Sequence, residues 1–202
     1  MTAISSASPD EVLHQLFDAA KAKDEFEFCC ALIRVRGMED VGWDPTTESF
    51  QLIQQIVGLV QAPLDRQCAF RLTLFLYAHV TEMAHFYRVP ANMLRIIMGE
   101  RYSLEPFHGL PKPKLPQDDP LDAEVLHLIA LAKQAGMPDL ATLYSDFYVR
   151  QVRNAFSHSD YALGPNSFNM RRGEPLNLDG MLTSAISGLR SSRQRTITGG
   201  DI

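Results

Sequence analysis

Helical spacing of apolar residues, punctuated by proline, is the feature that most narrows what this chain can fold into. Apolar side chains recur three and four positions apart along most of the first 160 residues, the pattern of helices that bury one face. Ser8-Pro9-Asp10-Glu11 reads as a cap, a first-turn proline and two acids suited to a helix N-terminus. That helix runs to about Lys23, and a second runs from about Asp24 until Gly37 supplies a stop. The stretch GWDPTTESF reads as a turn, after which Thr46 or Thr47 caps a third helix through Ala62. Pro63 opens the longest candidate, ended at Val89 by Pro90, because a proline inside a helix removes an amide donor and crowds the preceding turn. A further helix covers about Ala91 to Arg101.

SLEPFHGLPKPKLPQDDP carries five prolines and no periodicity, which reads as an exposed connection rather than a domain boundary. Helices resume at about Leu121–Gln134 and Pro138–Ser157. DYALGPNSFNMRRG then reads as a hairpin around Gly164-Pro165-Asn166, followed by a helix of about Leu178–Arg190 and a tail. The expectation is an all-α multi-helix bundle over residues 1–160. A C-terminal β-hairpin, short helix and mobile tail over 161–202 are appended to the same domain.

The bulk numbers exclude several classes. With 46% apolar and 21% charged residues, the 202-residue chain can bury a proper core. It has no apolar run of the roughly 18 residues a bilayer span needs. The N-terminus lacks a basic segment followed by an apolar one, so no secretory signal is expected and a cytoplasmic setting is. Cys29, Cys30 and Cys68 match no metal-binding spacing, and reduced core thiols are expected. The net charge of −5 argues against non-specific coating of nucleic acid. That charge is uneven: residues 1–149 carry 12 basic and 20 acidic side chains, whereas 150–202 carry 7 arginines and 4 acids. A local anion site at the arginine-rich end is compatible with that imbalance.

That end begins with VRQVRNAFSHSDYAL. Projected as one continuous helix, Leu140, Leu143, Tyr144 and Phe147 form an apolar stripe that Gln151, Asn154 and His158 would continue. A stripe that turns polar without changing direction lines a cleft or an interface, or pairs its polar groups among themselves, since burying them unpaired costs about 1–3 kcal/mol each. In the long helix, Cys68, Leu72, Phe75, Met83 and Phe86 make an apolar face that includes His79 and Glu82. A carboxylate there calls for a cation, and Arg153 is the first candidate. Arg153 and His158 lie five residues apart, about 140° of helical rotation, so they converge on one phosphate only if the arginine curls or the helix loosens. His79, Glu82 and His85 are badly spaced for a metal, because the two histidines diverge by about 120°. RVPANMLRIIMGERY reads as core or dimer packing.

RNAFSH resembles the R-x(4–6)-H signature of the HEPN superfamily (higher eukaryotes and prokaryotes nucleotide-binding), including a polar residue directly after the arginine. The resemblance covers six residues by motif and about residues 60–160 by helical architecture. It implies a metal-independent ribonuclease of toxin or defence type, acting as a homodimer on RNA or a nucleotide, without cofactor, and with an antitoxin as a possible partner. It implies His158 as general base or acid, Arg153 as the clamp on the scissile phosphate, and Asn154 as the group orienting one of them. Gln151, Arg150 and Tyr161 are the adjoining candidates for substrate contact, with Glu82 and His79 in support. Asp146 and Asp160 flank the motif where nuclease members often carry basic residues. The rival expectation is a non-catalytic helical dimerisation or nucleotide-binding protein in which the same residues brace an interface or a helix end.

Overall fold

The computed structural model describes residues 7–37, 45–110, 120–164, 167–171 and 176–177. Among these the chain is all-α with a small C-terminal antiparallel sheet. In order come α1 (Pro9–Lys23), α2 (Glu25–Gly37), α3 (Pro45–Val60), α4 (Arg66–Glu82), α5 (Ala84–Ile97), α6 (Pro120–Gln134), α7 (Pro138–Phe147) and α8 (Arg150–Ser157), then β1 (Tyr161–Leu163), β2 (Ser167–Met170) and β3 (Leu176–Asn177). The helix and tail expected beyond residue 177, and Pro165 and Asn166 of the expected turn, lie outside the described residues. Contacts divide the chain into two compact units, residues 1–46 with 81–150 and residues 47–80 with 151–202. They group α3, α4 and α8 with the sheet.

In the first unit, α1 starts as its sequence dictates. Ser8 and Glu11 close a capping box, with the Ser8 hydroxyl accepting from the Glu11 amide at 3.3 Å and the Glu11 carboxylate accepting from the Ser8 amide at 2.8 Å. Asp24 plays the same part for α2, its carboxylate accepting from the Glu27 amide at 3.0 Å. Helix α5 is the hub, packing against α1, α2 and α6, while α7 packs on α6 and α1. Tyr87, Ala91, Met93, Leu94 and Ile96 of α5 are fully buried, together with Leu16 of α1, Leu128 of α6 and Leu140 of α7. The methionine and isoleucine stripe of α5 is therefore core.

Two expected helix boundaries move. Pro90 does not end a helix; it sits buried inside α5, and the break comes earlier, at Met83, whose backbone is extended. A proline at position 90 leaves the carbonyl four residues back, that of Phe86, without its helical donor. The Tyr144 hydroxyl of α7 supplies one, donating to the Phe86 carbonyl at 2.8 Å. The break at Met83 is served in the same way: the hydroxyl of fully buried Tyr87 donates to the Thr81 carbonyl at 3.1 Å. Burial in this aromatic cluster pushes the Tyr144 hydroxyl far above its ordinary pKa of 10.0, so it is always a donor.

The described start of the proline-rich connection, residues 103–110, is anchored rather than free. Buried Asn92 straps it down with two bonds, accepting from the Ser103 amide at 2.7 Å and donating to the Ser103 carbonyl at 2.9 Å. The Tyr102 amide donates to Glu27 at 3.0 Å, and Phe107 enters the core. Residues 111–119 are outside the described set.

In the second unit, β1 and β2 form the expected hairpin, with Tyr161 opposite Met170 and Leu163 opposite Phe168, and β3 adds a third strand through Phe168 and Leu176. Phe168 is fully buried, and its ring lies 6.1 Å from that of Phe70 on α4. The thiols are free, but they are not all core: Cys29 is exposed and Cys30 and Cys68 are half-buried. Among the described residues no helix is long and apolar enough to cross a membrane.

Replacing Tyr144 by Phe strands the Phe86 carbonyl, and urea unfolding should show a loss of about 1–3 kcal/mol. In a Pro90→Ala background, residue 90 regains an amide donor for that carbonyl, so the same substitution should cost clearly less. Strict additivity in this double-mutant cycle would refute the pairing. A second prediction concerns pH. His127 of α6, edge-on to Phe107, is held below its ordinary pKa of 6.5 by burial and then by the Arg95 guanidinium. The fold thus prefers neutral imidazole. Its contribution is complete above pH 6.5 and is lost as pH falls through the lower folded value. His127→Phe should flatten the fall in melting temperature between about pH 7 and 5.

Candidate functional site

The single helix expected over 138–157 is two helices. Helix α7 stops at Phe147, Tyr148 is extended (φ −86°, ψ 94°), and α8 restarts at Arg150. Asp122 on α6 anchors the junction. One carboxylate oxygen accepts from the Tyr148 hydroxyl at 2.8 Å, and the other meets the Arg150 guanidinium at 3.0 Å. Helical phase is not carried across an extended residue, so the apolar stripe of α7 does not run on through Gln151, Asn154 and His158. Arg150, a candidate for substrate contact, is committed to this structural ion pair within the first unit.

The remaining motif residues belong to α8. Its buried face consists of Val152, Arg153 and Ala155, with Gln151 exposed and Asn154 half-buried. Arg153 is only 9% exposed, and its Nη1 donates to the Asn154 side-chain oxygen at 3.4 Å. Arg153 is further engaged, so its guanidinium is not a free group awaiting an anion.

His158 stands elsewhere, exposed at the end of α8. Its amide donates to the Asn154 carbonyl at 3.0 Å as the last helical bond. Ser159 then takes a left-handed conformation, with φ +56°. The Ser159 amide reaches back to the Phe156 carbonyl at 3.1 Å, and the Asp160 amide to the Ala155 carbonyl at 2.8 Å. That bond pair is a Schellman terminus with serine where glycine is usual, and His158 is its C-cap. Guanidinium and imidazole thus occupy different environments, one buried and one in solvent.

Beyond the cap lies an aromatic ladder. The rings of Phe156 and Tyr161 stack at 5.6 Å, and Tyr161 lies 4.9 Å from Phe168. Tyr161 is half-buried within it. Phe156 and Phe168 were not singled out by the sequence; the signal available was hairpin alternation, which puts Tyr161 and Phe168 on one face.

His79 on α4 lines a hollow of about 290 Å³ with Glu48, Ser49, Gln51, Leu52 and Gln55 of α3, and its buried Nε2 has no hydrogen-bonding partner among the described residues. Glu82 is exposed at the end of α4, so the premise of a carboxylate buried in an apolar face does not hold. His85 is held by a 2.8 Å hydrogen bond between its Nδ1 and the Thr46 hydroxyl. Among the described residues no three His, Cys, Asp or Glu side chains gather closely enough to share a metal ion. No family model, curated protein or solved structure matches the chain.

Ser159 carries the strain of a left-handed residue, about 1–2 kcal/mol for a side chain with a Cβ. Ser159→Gly should therefore raise the melting temperature, and a variant that melts lower would contradict the assigned terminus.

Proposed function

We propose that this chain is a non-catalytic helical interaction protein of the cytoplasm, with HEPN-like helices, in which the Arg153–Asn154 pair braces α8 and His158 caps it. The observation that carries this reading is the separation of the two groups that catalysis would need together. Arg153 is buried and engaged, whereas His158 is exposed at a helix end. A guanidinium that clamps a scissile phosphate has to present its donors to solvent-borne substrate before the reaction begins. A buried guanidinium bonded to a neighbouring amide instead lowers the cost of keeping a charge inside.

One observation favours the second reading, a metal-independent endoribonuclease acting on RNA or a nucleotide. The imidazole of His158 is open to solvent and near in sequence to the Phe156–Tyr161 stack, and aromatic rings can seat a base. In that reading Arg153 swings out when substrate binds, a homodimer forms the cleft, and an antitoxin holds the activity in check.

The two readings separate cleanly. Arg153→Ala should destabilise the protein by about 1–3 kcal/mol in urea, while His158→Ala should change the melting temperature little. Mixed RNA incubated with the purified chain in EDTA should remain intact. Cleavage that disappears in a folded His158→Ala variant would overturn the interaction reading in favour of the enzymatic one.

A further inference from the structure

Helix α3 divides its surface between two faces. Ile53, Ile56, Val57 and Val60 share one, with Ile56 buried and the other three half-buried. Glu48, Gln51, Leu52 and Gln55 share another at i, i+3, i+4 and i+7. This second face, with Ser49 beside it and His79 of α4, lines the hollow of about 290 Å³. A solvated helix face often carries glutamines, so the polar stripe alone indicates nothing. The imidazole sets it apart: Nε2 of His79 is shielded from solvent and has no hydrogen-bonding partner among the described residues. Because the ring lines the hollow, the bond it lacks is one that an occupant can make, and a shielded polar atom gains more from such a bond than an open one does.

The chemistry of the lining selects the occupant. Glu48 carries the one fixed charge among the six lining residues, and no ion pair with a described residue engages it. A free carboxylate at a binding wall favours a cation and disfavours an anion. Ser49, Gln51, Gln55 and a neutral imidazole each donate and accept, so they suit a group that does both, a hydroxyl or an amide. Leu52 gives a short carbon chain an apolar patch to lie on. Glu48 and Gln55 are seven residues apart, about 10 Å along the helix axis. The volume sits at the small end of ligand pockets, which run from roughly 300 to 1,000 Å³.

We propose that the hollow between α3 and α4 binds a small primary amine that also carries a hydroxyl or amide group, with the ammonium on Glu48 and the polar group on the glutamines and His79. The lining belongs wholly to the second unit and includes no residue of α8. The proposal therefore goes beyond the interaction reading and stands or falls apart from it.

The probe is 6-amino-1-hexanol, with 1,6-hexanediol and 6-hydroxyhexanoate as its neutral and anionic counterparts of similar length. Ligand-observed NMR gives affinities for the full chain and its variants. Shifts of the His79 ring, identified by the signals that vanish in His79→Phe, place the ligand. The amino alcohol should bind saturably with a Kd of about 1–10 mM, the diol about tenfold more weakly, and the hydroxy acid not at all. Glu48→Gln changes an exposed residue, so the melting temperature should hold while the preference for amine over diol disappears. His79→Phe should weaken both. No saturable binding, equal binding of amine and diol, or an amine affinity unchanged in either variant overturns the proposal. Such a failure leaves the interaction reading in place, whereas His158-dependent RNA cleavage removes that reading without touching these affinities.

Discussion

The hydrogen bond from the Tyr144 hydroxyl to the Phe86 carbonyl is the contact on which the first unit depends. It exists because Pro90, four residues on, has no amide hydrogen to give. Helix α5 carries the contacts to α1, α2 and α6, and it must continue past Pro90 to bury Met93, Leu94 and Ile96. Its missing donor arrives from α7, fifty-eight residues later in the chain. The aromatic rings around that bond, with Phe86 within 5.5 Å of both Tyr87 and Tyr144, exclude water from it and raise the cost of leaving it unmade.

Tyrosine hydroxyls also serve two other breaks. Tyr87 closes the end of α4 at Thr81, and Tyr148 reaches Asp122 where α7 gives way to α8. A buried tyrosine joins a large apolar body to one hydroxyl, so it can fill the core and still satisfy a carbonyl or carboxylate that the helix no longer serves. Asn92 does the corresponding work for the connection after α5, matching a peptide unit of Ser103 donor for acceptor. The Thr81 and Phe86 carbonyls and the Asp122 carboxylate are thus met by tyrosine hydroxyls 6, 58 and 26 residues away in sequence.

The interruption at Tyr148 decides how the arginine–histidine motif is read. Had the helix run straight from Pro138 to Ser157, Asn154 and His158 would have extended the face of Leu140 and Tyr144. With α8 restarted, Arg153 turns inward beside Val152 and Ala155, and His158 becomes the cap of a Schellman terminus. Six residues of motif fix identities and spacing, but a phosphate site also needs orientation, and that is set by the preceding extended residue. Arg150 illustrates the point: it sits beside the motif, yet its charge is taken up by Asp122.

Local chemistry was enough for the sequence to determine seven helical segments over residues 9–157, though not the break at Tyr148, together with the cap at Ser8 and the hairpin around Gly164. Each of these rests on neighbours within about one helical turn or one tight turn, where propensity, capping and alternation act directly. What only the tertiary structure decided was where helices break, which way Arg153 faces, and that Phe26, Cys29 and Ile33 are left outside while Phe28, Ala31 and Leu32 go in. Pro90 stops a helix by local rules and does not stop this one, because a hydroxyl from α7 replaces the donor it lacks. Partners so distant in sequence leave no periodicity to read, and a helix apolar on both faces does not reveal which face its own core will take.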